Sequence, residues 1–186
     1  MKRHSLGAAV FASILALMPA ASQAEVPITY TDDARPVFTV TVPDFWTVRT
    51  GGVRDLTAPG DAEPRTVSRV LGVRPSDDSV GVWVGLIAPF DVRNIDEGVA
   101  YLQDVGPFLV ESAKVSEQVN RRIGGYPART FAGTGRRDGR SVAFTAALID
   151  LPGPRVVAAI VIMEPGLDPL VVDAVNDMLG SIRAGR

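Results

Sequence analysis

Two residue types that carry much enzyme chemistry are absent or nearly absent from this chain of 186 residues: it has no cysteine and a single histidine, His4. Without cysteine there is no disulfide, no thiol nucleophile and no lipid-carrying cysteine. His4 lies in a segment that we expect to be removed, which leaves no imidazole for a Ser-His-Asp triad or an ordinary zinc site. We therefore expect a protein that is not an enzyme and that holds no metal and no cofactor.

The first 24 residues carry the pattern of an export signal. Met1-Lys2-Arg3 precedes an apolar run over 6–18, and Ser22-Gln23-Ala24 follows it. This order of charge, apolar run and small residues is typical of a secretory signal peptide, and we expect cleavage after Ala24. The apolar run is about half of the ~20 residues that span a bilayer, which disfavours an uncleaved anchor. We expect a periplasmic protein, with secretion as the alternative.

Lysine is scarce and the charge balance is mildly acidic. Loss of Lys2 and Arg3 reduces the basic residues from 19 to 17 against 21 acidic ones, so that the net charge becomes −4. A domain with this charge has no electrostatic reason to bind nucleic acid. The part after residue 24 has the size of one domain. We expect a tether or edge strand over 25–35 and a single α+β domain over 36–186.

Alternating β-formers and turn signals predict a mostly antiparallel sheet. Strands are expected over 37–42, 66–74 and 80–88. The segment 51–65 is rich in glycine and proline and is expected to be an irregular loop with room for a short strand over 54–57. Asp138-Gly139 is a strong hairpin signal, because a type I′ turn needs positive φ at both central residues. The later strands are expected over 114–123, 128–134, 141–150 and 155–163.

Two helices are predicted to pack on this sheet. Asn94 and Glu97 have the spacing of a capping box, and apolar residues then recur on one helical face until Gly106-Pro107, which should break or kink the helix. Residues 108–110 could make one further turn. Asp168-Pro169 predicts the start of a second, strongly amphipathic helix. The order of elements predicts an α+β fold in which helices pack on an antiparallel β-sheet.

Two groups of residues are candidate binding sites. Arg136, Arg137 and Arg140 are expected to cluster at the tip of the Asp138-Gly139 hairpin, where they would bind an acidic partner, another anion or lipid head groups; the alternative is a solvated turn. Four large aromatic side chains are candidates for the lining of a pocket for an apolar ligand, and core packing is the alternative. They are Trp46, Trp83, Phe90 and Tyr101.

Other patterns have simpler structural interpretations. Asp32-Asp33 and Asp77-Asp78 lack the spacing of a calcium loop and are expected at turns. Ser112, Lys114 and Ser116 are expected on a solvated strand face, where the lysine would lack the depressed pKa that catalysis needs. Gly81 and Gly85 share a strand face with Trp83. We expect a helix to cover that face, since glycine lets a helix approach closely.

Three short sequence segments resemble those of the Mog1/PsbP-like fold and of small exported bacterial proteins that share it. They are the strand and turn over 38–46, the turn Ile123-Gly124-Gly125-Tyr126-Pro127-Ala128, and the end of the closing helix at Ser181-Ile182-Arg183. The resemblance implies an antiparallel sheet between helices and a non-enzymatic role in binding or assembly. Members of the family include a small-GTPase-binding protein and an extrinsic photosystem subunit, so the fold does not determine the function.

Two functions remain open from the sequence. The favoured hypothesis is a non-catalytic exported protein that binds or helps to assemble a protein partner in the periplasm, with peripheral membrane contact also open. The alternative is a binding module for a small apolar or lipid-like ligand. That alternative predicts an enclosed cavity between the sheet and a helix.

Overall fold

The computed structural model describes residues 24–32, 34–52, 54–56, 65–67, 69–77 and 80–186. The expected signal peptide with His4, as well as Asp33 and Asp78, lie outside the described residues, apart from Ala24. The elements in chain order are β1 Glu25–Asp32, β2 Arg35–Pro43, β3 Trp46–Thr50, β4 Arg54–Leu56, β5 Arg65–Val67, β6 Leu71–Pro75, β7 Val82–Ile87, α1 Ile95–Leu109, β8 Glu111–Ile123, β9 Tyr126–Arg137, β10 Arg140–Leu151, β11 Arg155–Met163, α2 Pro169–Gly180 and β12 Arg183–Ala184.

Seven strands form the main sheet, in the order β3-β6-β7-β11-β10-β9-β8, and β1, β2 and β12 form a small sheet in the order β1-β2-β12. Every pairing in the two sheets is antiparallel. Strands β4 and β5 pair with each other and form a separate small sheet. Strand β4 lies where the sequence allowed a short strand within the loop over 51–65, and β5 and β6 together replace the single strand expected over 66–74. Strand β1 occupies an edge of the small sheet, and it lies in the segment 25–35.

The main sheet separates two apolar layers. On one face, alternate residues of its strands pack with Phe38, Val40 and Val42 of the small sheet and with Met178 and Ile182 at the end of α2. On the other face, two smaller clusters form beneath α1, one around Leu148 and one around Phe144. The fold is therefore α+β with helices on an antiparallel sheet, as the sequence predicted.

Both helix starts follow the sequence pattern. Asn94 Oδ1 accepts a hydrogen bond of 2.9 Å from the Glu97 N–H, and Asp168 Oδ1 accepts one of 2.9 Å from the Leu170 N–H. At its other end, α1 is not broken at Gly106-Pro107 but continues through Pro107 to Leu109, where the sequence allowed one further turn. Proline here removes one hydrogen-bond donor within the last turn, and a helix tolerates that loss better there than at its centre.

The β9–β10 hairpin confirms the turn signal, since φ is 50° at Asp138 and 76° at Gly139. Helix α1 partly covers the strand face of Trp83, as predicted, since Ile87 and Trp83 pack in the two clusters beneath that helix. The glycines of this face, however, have another role. The indole of Trp83 itself lies over Gly85, where an added Cβ would collide with the ring, and it approaches the Cβ position of Gly72 at 3.4 Å. Gly72 and Gly85, which pair across β6 and β7, therefore make room for an indole rather than for a helix.

Candidate functional site

An apolar groove of about 760 Å³ runs between the C-terminal half of α1 and the main sheet. Helix α1 provides one wall, the first half of β8 provides the rim, and side chains of β9, β10 and β11 form the floor. We call it the α1 groove. Its apolar lining residues are Val99, Leu102, Gly106, Pro107, Leu109, Val110, Ala113, Val115, Phe131, Phe144, Ala146 and Ile160.

The groove exists because α1 approaches the sheet closely at one end only. A Cβ added at Gly98 would lie 2.9 Å from Leu148 Cδ2, so the helix and the sheet are in close contact at that point. Gly98 is also the one fully buried residue of α1. Two turns further on, a Cβ added at Gly106 would have no neighbour within 4 Å. Ala146 on the floor has only a methyl group and Gly106 on the wall has no side chain, so neither residue fills the gap.

Polar groups occur at the edge of the α1 groove. Gln103, Ser112 and Gln118 are uncharged, and Glu111 is the one ionisable side chain of the lining. Pro107 has no N–H, so the Gln103 carbonyl makes no α-helical bond to position 107. The α1 groove therefore offers a long apolar surface, a few hydrogen-bonding groups and no cation. One sequence signal lies at the groove, the Gly106-Pro107 pair, which by itself predicts only a break or kink of the helix.

The four aromatic residues predicted to line a pocket lie in separate environments. Trp46 is buried in the layer between the two sheets, and Tyr101 packs against the cluster around Leu148. Trp83 packs against the cluster around Phe144, whereas Phe90 is 53% exposed. The structure does not bring these four side chains into one cavity, and the aromatic residues of the α1 groove are instead Phe131 and Phe144.

Tyr101 and a second tyrosine, Tyr30, have phenol groups that are shielded from solvent. Burial raises the pKa of the Tyr101 phenol well above its usual value of 10.0. Burial is also the main reason for the raised pKa of Tyr30, whose Oη donates a hydrogen bond of 2.8 Å to the Arg69 carbonyl. Neutral tyrosine is therefore part of the packed interior at both positions.

The three arginines do lie at the tip of the β9–β10 hairpin, where each makes an internal contact. Arg136 Nη2 donates a hydrogen bond of 2.7 Å to the Gly139 carbonyl, and Arg140 Nη1 lies 2.8 Å from Glu164 Oε1. The guanidinium of Arg137 stacks on Trp83, with its carbon 4.9 Å from the ring centroid. The tip also borders an open cavity of about 450 Å³ whose lining includes both Glu164 and Asp138.

Neither a metal site nor a membrane-spanning helix is found in the described parts of the chain. Nowhere in those ranges do three or more His, Cys, Asp or Glu side chains gather as metal ligands would. Of the helices in those ranges, none has the length and apolar character needed to cross a bilayer.

Comparison with known proteins adds to the description of the fold. No family model matches the chain, and neither does any curated protein. Cyanobacterial PsbP (CyanoP) from Synechocystis sp. PCC 6803 superposes with a TM-score of 0.51 and 14% identity, over 90% of this chain and 96% of its own. A Bacteroides thetaiotaomicron VPI-5482 protein gives a TM-score of 0.52 and 9% identity, over 89% of this chain and 50% of its own.

A third solved structure superposes with a lower TM-score. It is LpqN of Mycobacterium tuberculosis, described as involved in cell envelope biogenesis, with a TM-score of 0.49 and 15% identity over 88% of this chain and 91% of its own. The likeness to CyanoP, together with the antiparallel sheets and two helices, shows that this chain has a PsbP-like α+β fold. The resemblance noted from the sequence is confirmed at the level of the fold.

Proposed function

We propose that this chain is a non-catalytic, exported binding protein whose α1 groove takes up a neutral apolar or lipid-like ligand. The observation that carries the proposal is the α1 groove itself, about 760 Å³ in volume and lined mainly by aliphatic and aromatic side chains. Small-molecule sites commonly have volumes of about 300–1,000 Å³, apolar walls and a few polar groups. The groove has all three properties, although it is open along one side rather than enclosed.

The charge of the lining supports a neutral ligand over an anionic one. Glu111 is acidic, and the groove lining contains no lysine or arginine among the described residues. A fatty-acid carboxylate would meet an acidic side chain without a compensating cation, whereas a hydroxyl or ester group could accept or donate hydrogen bonds at Gln103, Ser112 or Gln118. A long-chain alcohol or an acylglycerol therefore fits better than a free fatty acid.

Export is part of the proposal and rests on residues 1–24. A positive start, an apolar run and small residues before Glu25 are typical of a cleaved secretory signal. Export would place the protein among membrane lipids and envelope components that supply apolar ligands.

The protein partner favoured by the sequence remains a prediction. The hairpin arginines were its main candidates, and Arg136 and Arg140 make contacts within the chain. Of these two contacts, only the ion pair of Arg140 with Glu164 offsets a positive charge of the tip. The α1 groove gives the ligand-binding alternative the stronger structural support.

The proposed function is tested by titration with N-phenyl-1-naphthylamine, a neutral probe whose fluorescence increases in apolar surroundings. We expect binding by the wild-type protein, displacement by a long-chain alcohol and weaker displacement by the matching fatty acid. Ala146→Trp places a large side chain on the groove floor and should abolish probe binding. Ala100→Trp is the matched control, because Ala100 is exposed on α1 and does not line the groove.

Circular dichroism of both variants separates groove blocking from loss of fold. Equal probe binding by folded Ala146→Trp and by wild type would contradict the assignment of the ligand to the α1 groove. Absence of probe binding by the wild-type protein would contradict the proposed function as a whole.

A further inference from the structure

The last strand of the main sheet has an edge that no other described strand covers. Strand β8 stands at the end of the strand order, and among the described residues it pairs only with β9. It is 13 residues long, and all of them are exposed except Val119 and Ile123, which are half-buried. A long exposed edge offers a row of free backbone N–H and C=O groups to another strand.

The two halves of this edge differ in regularity. Register shifts at Glu111/Lys114 and at Val115/Glu117 interrupt the first half of β8. Bulges of this kind, and a lysine such as Lys114, hinder pairing of a further strand. From Glu117 to Ile123 the pairing with β9 is regular and has no such interruption. The second half of β8 is therefore the part that can accept a strand.

The hairpin turn defines which backbone groups point outward. Gly124 and Gly125 have φ values of 60° and 90°, and Ile123 pairs with Tyr126 across this two-residue turn. The closing pair of such a hairpin is hydrogen-bonded, and hydrogen-bonded and free residues then alternate along the strand. Ile123, Arg121, Val119 and Glu117 thus bond to β9. Arg122, Asn120 and Gln118 direct their N–H and C=O groups to the free edge.

The charges along this segment are complementary to those of a second copy in one antiparallel register. When Val119 lies opposite Val119 of the second copy, the outward groups of Gln118 meet those of Asn120, and Glu117 lies opposite Arg121 on both sides of the axis. The Glu117–Arg121 pairs are then non-hydrogen-bonded pairs, whose side chains are closest. Opposite charges in such pairs stabilise a sheet.

Registers with the two-fold axis at a residue next to Val119 or two positions from it do not place Glu117 opposite Arg121. A two-fold axis at Glu117 or at Arg121 would put identical charges opposite each other. An axis at Gln118 or Asn120 would place Glu117 and Arg121 opposite apolar side chains. We propose that this protein forms a two-fold dimer in which the 117–121 segments of two β8 strands pair antiparallel about Val119, which joins the two main sheets into one.

The charge pairs give a specific test by sedimentation equilibrium over a concentration series of the protein without ligand. Glu117→Arg puts arginine opposite arginine, and Arg121→Glu puts glutamate opposite glutamate. Each single variant should raise the dimer dissociation constant about tenfold or more. The double variant Glu117→Arg/Arg121→Glu should dimerise like the wild type. An equimolar mixture of the two single variants should form a heterodimer, because each variant then faces the opposite charge.

A cross-link provides a second test that does not depend on charge. The chain has no cysteine, so Val119→Cys introduces a unique thiol at the proposed axis. Two thiols in a non-hydrogen-bonded antiparallel pair have a separation that suits a disulfide. Mild oxidation should convert Val119→Cys to a covalent dimer. Val115→Cys is the control: Val115 is 58% exposed and should cross-link more slowly, because it lies away from the axis.

Three results would overturn the proposal: a wild-type protein that is monomeric throughout the series, single charge variants that dimerise like the wild type, or faster cross-linking at 115 than at 119. Dimerisation is measured here without ligand, so its failure leaves the function of the α1 groove unaffected.

Discussion

Arg155 Nη2 lies 3.0 Å from Asp32 Oδ2, an ion pair between residues 123 positions apart in the chain. Asp32 ends β1 in the small sheet, and Arg155 begins β11 in the main sheet. The Asp32 side chain is 7% exposed and that of Arg155 is 36% exposed. The ion pair thus links the small sheet to the main sheet at one end of the apolar layer between them.

We predict that Arg155→Met lowers the free energy of unfolding by about 1–3 kcal/mol, because it leaves a buried carboxylate without its partner. Urea denaturation measures the change. Arg140→Met is the matched control, since its partner Glu164 is 40% exposed and the Arg140 side chain is 72% exposed. Exposed pairs contribute about 0–1 kcal/mol. Equal effects of the two substitutions would show that burial of Asp32 has no energetic consequence.

The two glycines of α1 should respond in opposite directions to alanine. Gly106→Ala should stabilise the protein by about 0.5–1 kcal/mol, because alanine favours a helix and the added methyl meets open space. Gly98→Ala should destabilise it by about 1 kcal/mol, because the methyl collides with fully buried Leu148. Thermal melting of both variants tests this. Stabilisation by Gly98→Ala would contradict the close contact of helix and sheet.

Stability should fall as the pH rises above about 10. Burial raises the pKa of Tyr101 in the folded protein, so the unfolded chain loses this proton first and unfolding becomes more favourable with increasing pH. Tyr101→Phe should reduce the slope of the free energy of unfolding against pH in this range. The free energy of unfolding of each protein at neutral pH serves as its reference. An unchanged slope would mean that the Tyr101 phenol is accessible to solvent in the folded state.

The mature protein should begin at Glu25. Expression of the full chain in a Gram-negative host, followed by mass spectrometry of the periplasmic fraction, measures the N-terminus directly. A protein that retains Met1 and remains in the cytoplasm would contradict the export hypothesis. Deletion of residues 2–24 should keep the protein in the cytoplasm and serves as the control.

Local signals in the sequence were sufficient to predict much of the fold. The Asn94 cap, the Asp168 cap and the Asp138-Gly139 turn each depend on residues within a few positions of each other, and the structure confirms all three. The end of α1 was harder to predict. A proline removes one backbone hydrogen bond, which breaks or kinks a helix at its centre but is tolerated near its terminus. The local pattern around Gly106-Pro107 does not show which of the two applies.

The candidate site depended on contacts between distant parts of the chain. Aromatic residues were chosen as pocket candidates for their size, yet Trp46 and Tyr101 fill packed layers and Trp83 lies over glycines. The α1 groove is instead lined by two small residues, Gly106 and Ala146, that are 40 positions apart in the sequence. Asp32 does lie at the turn between β1 and β2, as expected, but its ion pair with Arg155 depends on a residue far away in the sequence.

The most direct test of the central claim is an NMR measurement of intermolecular nuclear Overhauser effects between a long-chain alcohol and the methyl groups of the protein. We expect effects from the alkyl protons to methyl groups of four residues that line the α1 groove, Leu102, Leu109, Val115 and Ile160. We expect none to Val73 or Leu86, which are buried between the sheets. Effects confined to other surfaces, or no effects at saturating alcohol, would contradict that claim.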